Sequence, residues 1–303
     1  MSRSIVVGVD GSPESLAAVE WAAREALRRD RPLHLVHASE WTPERESSPA
    51  ASAVRRHVGL GILHRAKDRA ARVCPDMWVS DEQVEELAVA ALCDAAHRAE
   101  LLVVGSRGLS GFTGFLVGSV AQALTAQAPR PVVLIEAGEQ AEDEHLPDED
   151  GNPSLLTPYR DVVVGIDVRA ACDEVIDFAF EAARERGARL HALHALHAWS
   201  DAAALPLGPG EPAVGEGPAR EDEWRGFLTM VLQNWRDKYP DVDVVETVVK
   251  GGAGTHLVRA GSSAGLLVVG RRVHEGRVGP HTGPVTRTVV HHARCPVAVV
   301  PHE

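Results

Sequence analysis

The sequence predicts an α/β protein made of two Rossmann-like sandwiches, each with a five-stranded parallel sheet in the strand order 3-2-1-4-5. Two observations lead to this prediction. Short, continuous runs of Val, Ile and Leu alternate with longer segments of helical periodicity, which is the pattern of parallel βαβ units. The second half of the 303-residue chain repeats the pattern of the first half, and a chain of this length suits about two domains.

The repeat relates the two halves over most of their length. SIVVGVDGSPESLAAVEWAAREA, from Ser4, recurs as DVVVGIDVRAACDEVIDFAFEAA from Asp161, and LLVVGSRG recurs as LLVVGRRV. The period is too long for a solenoid and indicates a duplicated domain. We predict domains at residues 1–138 and 158–303, joined by an acidic linker at 139–157 that we expect to be solvated.

Within the first half, the apolar runs at residues 5–9, 101–104 and 132–135 are typical of strands that are buried on both faces. Ser12 is the expected N-cap of the first helix, with Pro13 in its first turn. The same alternation continues through both halves, which predicts roughly five strands and four helices in each. The apolar face of the first helix is predicted to comprise Leu16, Val19, Ala23 and Leu27.

Composition argues against several classes of function. The 31 basic and 43 acidic residues give a net charge of −12, which disfavours broad contacts with nucleic acid or with an anionic membrane surface. No apolar stretch reaches the length of a membrane span, and the chain begins with a strand rather than a signal sequence. The four cysteines lie far apart without a CxxC pair, which favours reduced thiols and a cytoplasmic protein.

Two loops of the first half are suited to bind a ligand. GVDGSPES follows the first strand and GSRGLSGFTGFLVGS follows the fourth. In the order 3-2-1-4-5 these strands are neighbours, and ligands of open parallel sheets bind beyond the carboxyl ends of the strands where the order reverses. The sequence therefore predicts one site formed by both loops.

The glycines of the second loop favour a phosphate as the ligand. Gly105 and Gly108 allow a sharp turn and a close approach of the backbone. Gly118 and Ser119 open the next predicted helix, whose free N–H groups and dipole attract an anion, and Arg107 adds positive charge. The alternative is an ordinary loop whose glycines only make turns.

The spacing G-x2-G-x9-G-S, formed by Gly105, Gly108, Gly118 and Ser119, resembles the nucleotide-binding signature of the universal stress proteins. The segments GVDGS, HLVHA and RPVVLI resemble the same family, and the resemblance covers nearly all of both halves. It implies an adenine nucleotide alpha hydrolase-like fold. In the ATP-binding branch of the family it also implies bound ATP, either free or as its magnesium complex.

The resemblance also implies a role for each matching residue. Asp10 would contact the nucleoside with Val9 beside it, Ser12 would lie close to the phosphates, and the backbone near Ala38 would contact the adenine. The residues implied to cradle the ribose and phosphates are Val104, Gly105, Arg107, Gly108, Gly118, Ser119 and Val120.

The second half departs from this pattern at positions that matter chemically. Val273 replaces Gly108, and Pro284 replaces Ser119, which removes a hydroxyl and a backbone N–H from the anion site. Glu275 adds negative charge to the loop. We predict that only the first half binds ATP and that the second is a degenerate copy with structural or partner-binding duties.

No sequence pattern for chemistry on the nucleotide is present. GxxxxGK[ST], HxGH and SGGxDS are all missing, so we assign no catalytic residue. The sequence favours a stress-response regulator whose conformation or assembly responds to ATP. The alternative is a slow ATP hydrolase that uses the same pocket. A third hypothesis is a scaffold protein whose glycine loop no longer binds a ligand.

Histidines and the last strands raise two further questions. His191, His194 and His197 fall on a predicted strand, where a spacing of three places neighbours on opposite faces, and we assign no metal there. His291 and His292 are expected at a helix end rather than as metal ligands. The last strand of each half would be an apolar sheet edge. The family resemblance implies that these strands pair into an internal pseudo-dimer, and a homodimer of two chains is a further possibility.

Overall fold

The fold is described from a computed structural model of the chain. The structure describes residues 3–39, 49–106, 117–196, 218–273 and 282–303. Both halves follow the predicted alternation of strands and helices. The elements of the first half are β1 (Ser4–Gly8), α1 (Pro13–Arg28), β2 (Leu33–Ala38), α2 (Pro49–Val73), β3 (Val79–Val84), α3 (Ala88–Arg98), β4 (Ala99–Gly105), α4 (Ser119–Gln127) and β5 (Val132–Ile135).

The second half repeats this series of elements. A short 3-10 turn (Ala141–Glu144) precedes it, and another (Val168–Ala170) follows its first strand. Its helices and strands are β6 (Val162–Gly165), α5 (Asp173–Arg186), β7 (Leu190–Leu196), α6 (Pro218–Lys238), β8 (Val244–Lys250), α7 (Ala253–Gly261), β9 (Leu266–Arg272), α8 (Pro284–His292) and β10 (Val297–His302).

The strands form one ten-stranded sheet in the order β3-β2-β1-β4-β5-β10-β9-β6-β7-β8. Each half therefore has the order 3-2-1-4-5, and all pairings within a half are parallel, which confirms the predicted fold class. The halves join where β5 pairs antiparallel with β10, with Val133 opposite Ala298. Because of this junction, the strands of the two halves run in opposite directions, and their carboxyl ends lie at opposite edges of the sheet.

Helices cover both faces of the sheet, so the strands are buried on both sides. Residues of α1, α2, α5 and α6 belong to a single hydrophobic cluster that continues across both halves. The other face has two separate clusters, one under α3 and α4 and one under α7 and α8. The core of the first face is therefore shared between the domains, whereas each domain keeps its own core on the second face.

Helix α1 begins as predicted, since the Ser12 side chain caps it by accepting the backbone N–H of Ser15 at 3.2 Å. Its predicted apolar face is only partly correct. Val19 and Ala23 are fully buried, but Leu27 is 67% exposed. The buried surface of the helix is instead completed by Trp21 and by small residues that allow close packing: Ala17, Ala18, Ala22 and Ala26.

The acidic segment at 139–157 is not solvated throughout, contrary to the prediction. Its residues from Leu146 onward are largely exposed, but Glu144 is 1% exposed and His145 is also buried. The Glu144 carboxylate accepts hydrogen bonds from Arg24 (2.7 Å) and Arg28 of α1, so the segment is attached to the first domain. The Glu144 side chain thus serves as a buried partner for two half-buried arginines, which a count of charges cannot reveal.

A second buried carboxylate joins the two domains. Glu25 of α1 is fully buried and accepts hydrogen bonds from Arg28 (2.7 Å), Arg29 (2.7 Å) and, across the domain junction, Arg186 at the end of α5 (2.6 Å). Burial by itself would raise the pKa of Glu25, but Arg186, Arg29 and Arg28 outweigh it and hold the pKa far below its usual value of 4.5. Glu25 is therefore ionised in the folded protein at any pH near neutrality.

We predict that Glu25→Gln destabilises the protein by about 3–5 kcal/mol at pH 7, because it leaves buried guanidinium groups without their counter-ion. The stabilisation from an acid with a depressed pKa is complete above the pKa of the unfolded chain and is lost as the pH falls further. The difference in urea unfolding free energy between wild type and variant should therefore shrink below about pH 4.5.

Asp222→Asn is the matched control for this prediction, because it removes a carboxylate from an exposed ion pair with Arg225. It should leave the unfolding free energy nearly unchanged. A Glu25→Gln variant as stable as Asp222→Asn at pH 7 would contradict the proposed role of the junction carboxylate.

Candidate functional site

The structure brings the described ones among the predicted site residues of the first half to the carboxyl ends of β1, β2 and β4. β1 lies next to β4, with Gly8 opposite Val104, so the loop that contains Asp10 and the end of β4 are adjacent. Because β4, α4 and β5 form a parallel crossover unit, α4 begins at this same edge. Ala38 ends β2, the neighbour of β1 on the other side. Arg107 and Gly108 lie outside the described residues.

The loop after β1 is held by its own side chains. Asp10 Oδ1 accepts hydrogen bonds from the Ser12 backbone N–H (2.9 Å) and from the Ser12 hydroxyl. Asp10 is exposed, whereas Val9 is buried and donates its N–H to the carbonyl of Val36 (2.9 Å). The loop therefore presents the Asp10 carboxylate to solvent in a defined orientation, on a backbone that continues the pairing with β2.

His37 contacts the start of this loop through its imidazole and is not among the site residues predicted from the sequence. Its buried Nδ1 lies 2.8 Å from the carbonyl oxygen of Val9. In the second half, His194 makes the same contact with Ile166 at 2.9 Å. The available signal was the repeated LHLVHA and LHALHA segments, in which these histidines align. They are positioning residues that link β2 and β7 to the loops that follow β1 and β6.

The position of Gly105 has a packing requirement in addition to the predicted approach of a ligand. A Cβ atom at this position would lie 2.6 Å from the carbonyl carbon and 2.8 Å from the carbonyl oxygen of Glu14. The missing side chain thus allows the first turn of α1 to pack directly on the end of β4, rather than only clearing space for a ligand.

The start of α4 has the predicted form of an anion site. Gly118 is the N-cap and has no side chain with which to cap the helix. The first backbone hydrogen bond of the helix runs from Gln122 to Gly118, so the N–H groups of Ser119, Val120 and Ala121 have no partner within the helix. Ser119 is exposed and Val120 is half-buried. These N–H groups and the helix dipole favour a negative charge in front of them.

Arg65 is a cation near this site that the sequence did not single out. It lies on α2, and its Nη2 atom is 3.3 Å from the position that a Cβ on Gly11 would occupy. Arg65 therefore reaches the loop between Asp10 and Ser12 from a helix that is distant in sequence. Only the packing of α2 against that loop brings it there.

The corresponding cleft of the second half contains a cavity of about 690 Å³. Its walls include Asp167, whose carboxylate accepts the N–H of Arg169 at 3.1 Å much as Asp10 accepts that of Ser12. Pro284 is the first residue of α8, after Gly283 as N-cap, so the predicted loss of one N–H from this helix start is observed. Val273 donates its N–H to the backbone carbonyl oxygen of His302 (2.7 Å) and continues the pairing of β9 with β10. Glu275 lies outside the described residues.

The histidines considered for metal binding contact separate partners. His191 Nε2 lies 2.9 Å from the hydroxyl of Thr247, and burial lowers its pKa. His291 and His292 occupy the last turn of α8, as expected. Within the described ranges, no group of three or more His, Cys, Asp or Glu side chains has a geometry that would hold a metal ion. His197 lies outside those ranges.

None of the helices described here is both long and apolar enough to cross a membrane.

This architecture of paired α/β domains with clefts beyond the carboxyl ends of parallel strands has clear relatives. The family model of the universal stress protein family matches residues 1–136 and 158–301. A universal stress protein of Mycobacterium tuberculosis is 32% identical over 314 residues, covering 97% of this chain and 94% of the relative. One from Mycolicibacterium smegmatis is 33% identical over 305 residues, covering 98% and 96%.

A solved structure of a universal stress protein from Archaeoglobus fulgidus has the same fold. It superposes with a TM-score of 0.72 at 15% identity and covers 99% of this chain and 98% of its own. The chain belongs to the universal stress protein family, and its two family domains lie in tandem.

We predict that Gly105→Ala lowers the unfolding free energy by about 1–3 kcal/mol, because α1 or β4 has to move to accommodate the new methyl group. Gly61→Ala on α2 is the control, since the described atoms leave the space around its Cβ open to 4 Å. Alanine there should be neutral or stabilising by up to about 1 kcal/mol. Urea unfolding of both variants measures the difference, and equal effects would show that Gly105 is not needed for helix packing.

Proposed function

We propose that this universal stress protein binds ATP in its first domain and acts as a nucleotide-dependent regulator of the stress response, without turnover of the nucleotide. The observation that supports this most directly is the meeting of two features at one edge of the sheet. The loop that contains Asp10 follows β1, and α4, whose N-cap has no capping side chain, comes after the neighbouring strand β4. Together they offer a carboxylate for hydroxyl groups and N–H groups for phosphates.

The two parts of the site suit different parts of the nucleotide. The exposed Asp10 carboxylate is an acceptor for the ribose hydroxyls, and the end of β2 at Ala38 provides backbone groups for the adenine. The N–H groups at the start of α4 and the guanidinium of Arg65 compensate the phosphate charge. ATP would bind free or as its magnesium complex in this arrangement.

The cleft of the second domain contains a cavity large enough for a ligand, although we assign ATP to the first domain. Volume alone does not stabilise a triphosphate. Pro284 removes an N–H donor from the start of α8, and the Val273 backbone is already used to pair with His302. We therefore assign ATP to the first domain and give the second domain structural or partner-binding duties.

Titration calorimetry with ATP tests this assignment through a matched pair of variants. Gly118→Asp and Gly283→Asp place a carboxylate at the N-cap of α4 and of α8, respectively. We expect one site per wild-type chain, a loss of affinity of about 10-fold or more in Gly118→Asp from charge repulsion, and unchanged binding in Gly283→Asp. Two sites per chain, or a loss confined to Gly283→Asp, would overturn the proposal.

The absence of turnover is tested by phosphate release. We expect wild-type protein and the Asp10→Asn variant to release phosphate from ATP at the same background rate. A steady release by wild type that disappears in both Asp10→Asn and Gly118→Asp would instead establish a slow ATP hydrolase that uses the first-domain pocket.

We further propose that the β5–β10 junction serves as an internal pseudo-dimer, in which the second domain takes the place of a partner subunit. Because β5 and β10 pair with each other, a homodimer of two chains would form through surfaces other than these two strands. The outer strands of the joined sheet are β3 and β8.

We place the protein in the cytoplasm, where ATP is available and where its four free thiols suit a reducing environment.

A further inference from the structure

We propose that a pocket at the domain junction binds a small amino acid, whose ammonium group pairs with buried Glu139 and whose carboxylate pairs with Arg160. The pocket has a volume of about 280 Å³, which is at the small end of the range for ligand pockets. It shares no lining residue with the 690 Å³ cavity of the second domain or with the site near Asp10. The assignment is therefore independent of ATP binding in the first domain.

Segments that are distant in sequence form this pocket. Its polar lining comes from the segments after β5, before β6 and before β10 and includes Glu136, Glu139, Asp143, Arg160, Arg294 and Cys295. Because β5 pairs with β10, these segments meet where the two domains join. A ligand in the pocket would therefore contact residues on both sides of the junction.

The side chain of Glu139 is the observation that points to a ligand. Glu139 is only 9% exposed and lines the pocket. Its Oε1 atom is buried and has no hydrogen-bond partner, and its carboxyl group forms no ion pair with any described residue. A buried polar group without a partner is costly, so a hydrogen-bond donor within the pocket would stabilise it.

The surrounding charges oppose ionisation of Glu139 in the absence of a ligand. Burial, followed by the carboxylates of Asp143, Glu144 and Glu136, raises the pKa of Glu139 to about 8, while Arg24 of α1 opposes the change. Arg24 is itself paired with Glu144 at 2.7 Å. Glu139 is therefore mostly protonated at pH 7, and an ammonium group beside it would favour its ionised form.

Cys295 forms an uncharged part of the pocket lining. Burial, followed by the nearby carboxylates of Glu139 and Glu136, raises its pKa to about 12, so its thiol stays protonated. A metal ion does not suit this lining, because within the described part of the chain no three His, Cys, Asp or Glu side chains have the geometry to hold one. An ammonium group makes different demands, since it offers three N–H donors at hydrogen-bond distance.

A second group without a partner identifies the other half of the ligand. Arg160 lines the same pocket, and its buried Nε–H has no acceptor among the described residues. Arg294 adds another guanidinium at the exposed part of the lining. Guanidinium groups form strong hydrogen bonds with carboxylates. An amino acid supplies both an ammonium for Glu139 and a carboxylate for Arg160, whereas a simple amine would leave Arg160 without an acceptor.

Titration calorimetry of the full-length protein at pH 7 with glycine, alanine and serine tests the proposal. We expect one site per chain for at least one of the three. Methylammonium and acetate, which each lack one of the two charged groups, should bind about 10-fold more weakly or less, since a hydrogen bond to a charged group is lost. An absence of binding by all three amino acids at millimolar concentration, or equal binding of methylammonium, would overturn the assignment.

Proton release provides a readout of the role of Glu139. Binding of the ammonium group lowers the pKa of Glu139 from about 8, so up to about one proton should be released per ligand at pH 7. Calorimetry in two buffers of different ionisation enthalpy measures this number. Proton uptake, or binding without any proton exchange, would contradict the pairing of the ammonium with Glu139.

Three variants separate the two halves of the site. Glu139→Gln should weaken amino-acid binding by about 10-fold or more and abolish proton release. Arg160→Gln should weaken it to a similar extent but leave proton release and methylammonium binding unchanged. Glu149→Gln removes an exposed carboxylate from the same acidic segment and is the control, with binding as in wild type.

Unfolding midpoints measured without ligand identify the variants that remain folded. We expect Glu139→Gln to be as stable as wild type, because it removes an acid that has no partner in the pocket. Wild-type affinity for the amino acid in folded Glu139→Gln, or a loss in Glu149→Gln equal to that in Glu139→Gln, would overturn the proposal.

Discussion

The antiparallel pairing of β5 with β10 is the contact on which the rest of this molecule depends. Without it, each five-stranded sheet would end in an uncovered apolar strand, which is a hazard for aggregation. The pairing also extends one hydrophobic cluster across both domains and brings α1 and α5 to the same face. Only there can Glu25 meet Arg186, so the buried charge cluster exists because the sheets are joined.

The same junction separates the two clefts. Because the strands of the domains run in opposite directions, the site near Asp10 and the cavity near Asp167 open at opposite edges of the sheet. Among the described residues, the two clefts are connected through the β5–β10 pairing, the shared core and the charge cluster between α1 and α5.

Divergence is clearest at one equivalent pair of positions. Gly105 leaves room for the backbone of Glu14, so that the first turn of α1 packs on the end of β4. Gly270 occupies the same place in the repeat but leaves room for the ring of His302, which contacts Cys172. The same residue type thus makes room for a helix in one domain and for an imidazole ring in the other.

The sequence by itself determined the fold class, the duplication, the strand order and the helix starts at Pro13 and Ser119, because these depend on local periodicity and capping. Only the tertiary structure decided that Glu144 is buried and that Leu27 is exposed. It also decided that His37 holds the Asp10 loop and that Arg65 reaches it. The physical reason is that burial, charge compensation and side-chain contacts arise between segments far apart in the chain, which no local pattern records.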